Sequence, residues 1–304
     1  MLVPFVVAQT RRVVPLLLGD PGKAKTALVN EFGKFLGLPT IVVNVTHYDP
    51  AELAGYPWPD HSRGCMPLMP PEWGAEAINK EVIIFLDEIT NADFSKQAAV
   101  LTLLDRKIGE KNMHKRTIVI AAGNPPETAA NPQILSHPMV SRMCVFSWTL
   151  EEKAWLNAML VGEFAPPSFK TLPDNWERMI PAMRSKIGTF LMRRQDLIAK
   201  IPKDFDGKPF PTNRTWDMGA ICMAACYASG LSDVHAQEAL AGCVGAGPAA
   251  EYFDWVTNLD LPTPSGDSLS HSRRIPSEHD PPRSNAPTLA SFISSSRYSS
   301  TDKP

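Results

Sequence analysis

Short apolar runs rich in β-branched residues divide the first half of the chain at regular intervals. Four of them cover residues 13–18, 40–45, 82–86 and 117–122, and residues 143–148 form a candidate fifth. Runs of this length and composition, bounded by turn-forming residues, are typical of buried β-strands. The pattern therefore predicts four or five strands in the first 150 residues.

The segments between these runs have the spacing of amphipathic helices instead. The residues predicted to share a helix face are Leu28, Phe32, Phe35 and Leu36 in one segment and Val100, Leu101 and Leu104 in another. Gly37 is placed to end the first helix, and either Asn91 or Asp93 to cap the second. Strands that alternate with helices predict an α/β fold with a parallel sheet covered on both faces.

The pattern changes twice further along the chain. From residue 150 the β-branched runs give way to Ala, Met, Leu, Trp and charged residues between prolines, which predicts a small all-α domain over residues 150–260. Residues 261–304 are rich in Ser and Pro and hold few large apolar side chains, so we expect a disordered tail. The predicted parts are thus an αβα domain at 1–149, a helical domain at 150–260 and the tail.

Composition and charge restrict the classes of function. The 304 residues are 44% hydrophobic and 20% charged, with a formal net charge of -2, so the chain has no excess of positive charge to attract nucleic acid or an anionic membrane. Its five cysteines form neither a paired CxxC framework nor a disulfide pattern, and the histidines lack metal-ligand spacing. Cys222 and Cys226, four residues apart, are predicted to be buried small side chains. With an apolar start too short for a signal peptide or a membrane span, a cytoplasmic location is expected.

A glycine-containing loop lies between the first predicted strand and the first predicted helix. That position is the one a phosphate-binding loop requires, and it predicts ATP contacts from Gly19, Asp20, Pro21, Gly22, Lys23, Ala24, Lys25, Thr26 and Ala27. Lys25 would reach the β- and γ-phosphates, and the Thr26 hydroxyl would bind Mg²⁺. The alternative is a Gly-Pro turn that only caps a structural helix.

Ala24 replaces a glycine of the usual loop pattern. Its methyl group is tolerable if φ is negative, but would crowd the phosphates if the loop needs a glycine conformation.

Polar residues follow two of the other predicted strands. Asp87 and Glu88 come directly after residues 82–86, and Asn124 follows residues 117–122. Because open α/β sheets bind ligands at the carboxyl ends of their strands, we expect Asp87 to hold Mg²⁺, Glu88 to activate the attacking water and Asn124 to contact the γ-phosphate or that water. Acidic residues also end strands by chance, and Asn before Pro is a common start of a turn.

The motifs GDPGKAKT, FLDEITNAD, LLDRKIGE, IAAGNPPE, LSHPMVSRM and PTNRTW occur in an order that resembles the MoxR-type AAA+ ATPases, over about residues 16–261. The resemblance implies an AAA+ αβα nucleotide-binding domain with a helical lid, and assembly into a ring that is usually hexameric. It also implies chaperone-like remodelling of a protein client, often with a partner that bears a von Willebrand factor A domain.

Two arginines match motif positions of that family. Arg142, in Ser-Arg-Met, resembles a finger that contacts the ATP of a neighbouring subunit, and Arg214, in Pro-Thr-Asn-Arg-Thr-Trp, resembles the sensor 2 residue of the lid. For each, the alternative is a surface arginine paired with a carboxylate. Tyr56 and Trp58 fall in the region that faces the pore of AAA+ rings and either grip substrate or pack the domain.

The sequence also departs from the family pattern. Residues 1–18 are short for the segment that precedes the phosphate loop, which predicts an incomplete adenine pocket, and the Ser/Pro-rich end is unusual. Three functions therefore compete. The first is an ATPase that remodels proteins; the others are a nucleic-acid-dependent ring motor, disfavoured by the lack of a basic stripe, and a nucleotide-gated scaffold with little turnover.

Overall fold

The computed structural model describes residues 3–129, 133–162 and 167–259, without the side chains of Ala154 and Leu259. The predicted tail, residues 261–304, lies outside the described residues.

Nine strands and eleven helices form the described part. The strands are β1 (Val14–Leu18), β2 (Thr40–Asn44), β3 (Tyr56–Pro57), β4 (Leu68–Met69), β5 (Ile83–Asp87), β6 (Lys107–Ile108), β7 (Lys111–Asn112), β8 (Ile118–Gly123) and β9 (Met143–Ser147). The helices are α1 (Val3–Gln9), α2 (Lys25–Leu36), α3 (Pro50–Ala54), α4 (Glu72–Asn79), α5 (Phe94–Leu104), α6 (His137–Val140), α7 (Glu152–Val161), α8 (Ile180–Arg193), α9 (Asn213–Ala228), α10 (Asp233–Val244) and α11 (Ala246–Leu259). Single 3₁₀ turns occur at Val45–His47, Ile89–Asn91, Trp176–Met179 and Gln195–Leu197.

The five predicted strands form one sheet, and all of its pairs are parallel. Its order is β2-β5-β8-β1-β9, with β3-β4 and β6-β7 as separate two-stranded hairpins. Along β1, Leu17 belongs to one apolar core and Leu16 to the other, so helices cover both faces. The α/β fold with a parallel sheet and a following helical part is confirmed.

The edge strand β2 differs from its prediction as a buried strand. Val43 is its one buried residue, and Val42 is 42% exposed. Because β2 lies at the end of the sheet and pairs only with β5, its other edge is not covered by a neighbouring strand of that sheet.

The helix ends follow the residues predicted for them. Gly37 ends α2 in the left-handed conformation, and the Asp93 side chain caps α5 by accepting from the backbone N–H groups of Ser95 and Lys96. Phe35 is 43% exposed, although it was expected on the buried face of α2.

The apolar start of the chain forms a buried helix rather than an exposed one. Every residue of α1 is buried, and the helix packs against β1, α9 and α10. The described residues make one compact unit, in which α10 also lies against β9. The boundary between residues 149 and 150 stays a prediction. Within the described ranges, no helix is both long and apolar enough to span a membrane.

Candidate nucleotide site

The loop between β1 and α2 is held close to the end of β9. A Cβ on Gly19 would lie 2.3 Å from the Trp148 carbonyl oxygen, so the backbone approach there requires glycine. The Trp148 indole Nε1 donates to the Lys23 carbonyl at 2.8 Å. These contacts fix both ends of the loop against the sheet.

The backbone at Ala24 decides whether its φ is negative, as a methyl group at this position was expected to require. Its φ of 58° and ψ of 23° lie in the left-handed region, like the φ of 76° at Gly22. The loop therefore keeps a glycine-type conformation with an alanine in it, and the condition of negative φ is not met. Within the protein the methyl group is exposed, so the cost to folding is conformational.

Lys25 lies buried beneath the loop and joins it to β8. Its Nζ donates to the Gly19 carbonyl, to the Asp20 carbonyl at 3.1 Å and to Asn124 Oδ1 at 3.0 Å. Burial lowers the pKa of Lys25, whereas the nearby Asp87, Asp20 and Glu88 carboxylates oppose that shift. An ammonium group held this way is poised to exchange protein oxygens for phosphate oxygens.

The carboxyl end of β5 brings two predicted groups together. Thr26 Oγ1 donates to Asp87 Oδ2 at 2.9 Å, and the other carboxylate oxygen of Asp87 accepts from the Glu88 backbone N–H at 2.9 Å. A hydroxyl and a carboxylate in direct contact are the hard oxygen donors that Mg²⁺ prefers, so the residues present fit that ion.

Glu88 adopts a strained backbone conformation beside this pair. Its φ is 58°, in the left-handed region that glutamate rarely occupies, and Thr46 Oγ1 lies 3.5 Å from its Oε2. Strained conformations of this kind concentrate at active sites, where the surrounding structure imposes a required direction on the side chain.

Asn124 completes the row of strand ends. It is 9% exposed, its Oδ1 accepts from Lys25, and its backbone N–H donates to Thr90 Oγ1 at 2.9 Å. A side-chain amide fixed in this way has its remaining N–H donors available for an anionic ligand.

These side chains border one cleft of about 320 Å³. It is lined by Pro21, Gly22, Lys23, Ala24, Lys25, Thr26, Ala27, Asp87, Glu88 and Asn124. Of the remaining predicted loop residues, Gly19 and Asp20 turn their carbonyls towards Lys25.

Arg142 does not border that cleft. It directly precedes β9, whose first residue, Met143, pairs with Val14 at the amino end of β1, whereas the cleft lies at the carboxyl end. Five residues of strand at about 3.3 Å each put some 16 Å between the two edges. Its guanidinium binds both carboxylate oxygens of Asp105, at 2.7 and 3.1 Å, and donates to the Pro138 carbonyl.

Arg214 also lies outside the lining of the cleft. It is the second residue of α9 and is exposed, and its side chain makes no hydrogen bond or ion pair with any residue that the structure describes. The carboxylate pairing considered for both arginines is thus present at Arg142, whereas none of the described carboxylates pairs with Arg214.

Residues 15–143 match the family model described as the AAA domain of the dynein-related subfamily. The chain contains an AAA domain. This domain holds every residue that lines the cleft. A comparison with curated proteins found no match.

Among solved structures, the chain is similar to a protein from Cytophaga hutchinsonii described as a "putative ATPase". The two are 16% identical, with a TM-score of 0.48, over 80% of this chain and 79% of that one.

Several polar partners in the AAA domain were missed from the sequence. Thr46 contacts Glu88, Thr90 holds the Asn124 backbone, and Thr128 Oγ1 donates to Asp20 Oδ1 at 3.1 Å. A usable signal existed for Thr46, since it follows β2 and β2 pairs with β5 so that Asn44 lies opposite Asp87. Polar residues just after any strand of a parallel sheet deserve inclusion in the candidate site.

The aromatic residues predicted near a pore lie on the β3-β4 hairpin and are exposed. Tyr56 is 46% and Trp58 is 65% exposed, and Met66 and Met69 on the same hairpin are exposed as well. Both rings therefore keep a large part of their surface free for contact with another molecule.

Proposed function

We propose that this protein is a MoxR-type AAA+ ATPase that binds and hydrolyses Mg-ATP in an oligomeric ring and remodels a protein client. The observation that carries the proposal is that two residues at the start of α2 contact two residues at strand ends in one cleft: Thr26 contacts Asp87, and Lys25 contacts Asn124. Structural helix capping requires neither contact.

Each residue then has a distinct task in hydrolysis. Lys25 compensates the charge of the β- and γ-phosphates, while Asn124 orients the γ-phosphate or the attacking water. Glu88, turned by its strained backbone, accepts a proton from that water. Thr26 and Asp87 would hold Mg²⁺, which neutralises phosphate charge when bound.

A second cleft provides room for the base. It has about 400 Å³, shares Pro21, Gly22 and Lys23 with the phosphate site, and is lined on its other side by Leu150, Glu152, Trp155 and Leu156. Apolar and aromatic side chains suit a purine ring. The segment after β9 thereby supplies a wall for the adenine, which weakens the case for an incomplete pocket and a scaffold of low turnover.

Assembly is supported by the position of Arg142. At the opposite sheet edge from the cleft, it is badly placed to reach its own γ-phosphate, which favours a role at the ATP of a neighbouring subunit. In this role the guanidinium leaves Asp105 and stabilises negative charge in the transition state. An arginine finger raises kcat in this way by about 10³-fold or more.

A protein client is favoured by the exposed hairpin. The Tyr56, Trp58, Met66 and Met69 side chains offer apolar contact area with little charge, which suits an unfolded or flexible polypeptide better than a phosphate backbone. We include a protein with a von Willebrand factor A domain among the partners to test.

The discriminating experiment measures steady-state ATPase activity alone, with DNA, and with a candidate client or von Willebrand factor A protein. Stimulation by protein but not DNA supports the remodelling function, stimulation by DNA supports the ring motor, and very low turnover in all three supports the scaffold. Subunit mixing tests the ring: Arg142→Ala subunits and Glu88→Gln subunits, each inactive alone, should regain partial activity together. Mixed rings without activity would contradict the trans role.

A further inference from the structure

Three cysteines that are far apart in sequence meet in the core of the molecule. Cys144 comes from β9, Cys222 from α9 and Cys243 from α10, and all three are 0% exposed. Their sulfur atoms all lie within 4.8 Å of one another. In the described ranges this is the one cluster of metal-ligating side chains with such spacing.

The sulfur separations suit a single metal ion. Zinc-type ions bind thiolates at about 2.3 Å, and three such bonds in a plane place the sulfurs about 4.0 Å apart. The measured distance from Cys222 Sγ to Cys243 Sγ is 3.9 Å. A disulfide would need these sulfurs at about 2.05 Å and would leave Cys144 unused.

Close backbone approach brings the three elements together. A Cβ on Gly242 of α10 would lie 2.5 Å from the Val145 carbonyl and 2.9 Å from Cys144 Sγ, and one on Gly219 of α9 would lie 2.4 Å from a Leu240 methyl group. A larger residue at position 242 would push α10 away from β9 and separate Cys243 from Cys144, whereas at position 219 the Leu240 side chain would have to move aside.

We propose that Cys144, Cys222 and Cys243 form a binding site for one thiophilic divalent cation of the zinc class. Each thiol gives up its proton to the solvent buffer as its sulfur binds the ion, so binding of one ion releases three protons. A divalent ion leaves one net negative charge on three thiolates, whereas a monovalent ion leaves two, and buried uncompensated charge is costly. The Ala239 carbonyl, 3.3 Å from Cys144 Sγ, offers an oxygen at the edge of the cluster.

A metal there would fasten the helical part to the sheet. Cys144 lies on β9, an edge strand of the sheet that begins directly after Arg142. Cys222 lies on α9, which has Arg214 as its second residue. The site lies outside the nucleotide cleft, and it stands or falls separately from the proposed ATPase function.

The test uses Cd²⁺ as the probe on the full chain, purified under reducing and metal-free conditions. We expect thiolate-to-cadmium charge-transfer absorbance that saturates at one ion per chain. Saturating Cd²⁺ at about 100 times its Kd should raise the melting temperature by about 5–10 °C. The melting scan opens the core, so the buried position cannot hide the site from the ion. The Cd²⁺ titration is then repeated in the presence of Zn²⁺, which should compete with Cd²⁺ for the site.

Cys222→Ala and Cys243→Ala should each weaken Cd²⁺ binding by more than about 100-fold, since even residues that only support a ligand cost 10- to 100-fold. Alanine keeps these positions small and apolar, and circular dichroism checks that the variants fold. The controls are Cys65→Ala, at an exposed position, and Cys226→Ala, buried one turn along α9, and both should bind as wild type does. Absence of a saturable band and of a melting shift, or an equal loss in Cys226→Ala, would overturn the proposal.

Discussion

Replacing Ala24 by glycine tests whether the phosphate loop really stores backbone strain. The left-handed conformation at this position costs an L-residue about 1–2 kcal/mol, and glycine adopts it freely. Glycine also gains more freedom in the unfolded chain, which offsets about 0.4–1 kcal/mol of that relief. Because the Ala24 side chain is exposed, almost no packing is lost with the methyl group.

The net expectation for Ala24→Gly is a gain of about 0.5–1 kcal/mol in the free energy of unfolding, or roughly 1–4 °C in melting temperature for a unit of this size. The matched control is Ala27→Gly, three residues on, exposed and inside α2. There glycine should cost about 1 kcal/mol, because the helical conformation favours alanine.

The free energy of unfolding is measured by urea unfolding of wild type and both variants, followed by circular dichroism. A shift of the urea midpoint at an unchanged slope m reports a change in stability. The variants should shift in opposite directions. If Ala24→Gly is destabilised as much as Ala27→Gly, residue 24 does not occupy the left-handed region and the account of the loop fails.

Three further predictions address other parts of the molecule. Arg142→Ala should keep its ATP affinity and hydrolyse ATP about 10³-fold more slowly. Asp105→Ala removes the same surface ion pair, so it should change the free energy of unfolding by no more than about 1 kcal/mol and leave turnover intact. Equal loss of ATPase activity in both variants would assign Arg142 a structural role. Gly19→Ala should weaken nucleotide binding at least ~10-fold, because the Trp148 carbonyl must move to admit the new Cβ; wild-type affinity by calorimetry would refute the tight approach. Truncation after Leu261 should leave the melting temperature and basal ATPase rate nearly unchanged, given the polar composition beyond it; a clear fall in either would show that the tail docks on the body.

Patterns local in sequence predicted most of the sheet and of the nucleotide cleft. The apolar runs located its five strands, and since parallel strands share one carboxyl edge, Lys25, Asp87 and Asn124 could be expected to meet. The burial of β2 was predicted less well. Burial depends on whether a strand lies in the middle or at the end of the sheet, and the residues of a strand do not determine that order.

Features that depend on tertiary packing were beyond the sequence argument. The left-handed backbone of Ala24 and Glu88 is imposed by surrounding structure against their own preference. Likewise, Cys144, Cys222 and Cys243 have no common spacing, and only the packing of α9 and α10 on β9 brings their sulfurs together. The pairing of Arg142 with Asp105 joins residues 37 positions apart for the same reason.

The most direct test of the central claim measures ATP binding and ATP turnover on the same preparation of Glu88→Gln, with Lys25→Ala alongside. Glu88→Gln should bind Mg-ATP as tightly as wild type and hydrolyse it at least about 10²-fold more slowly, because the amide cannot take the proton of the attacking water. Lys25→Ala should lose binding itself, since the ammonium group that compensates the β- and γ-phosphate charge is then gone. Wild-type ATP affinity in Lys25→Ala, or near-normal turnover in Glu88→Gln, would contradict the assignment of this cleft as the ATPase site.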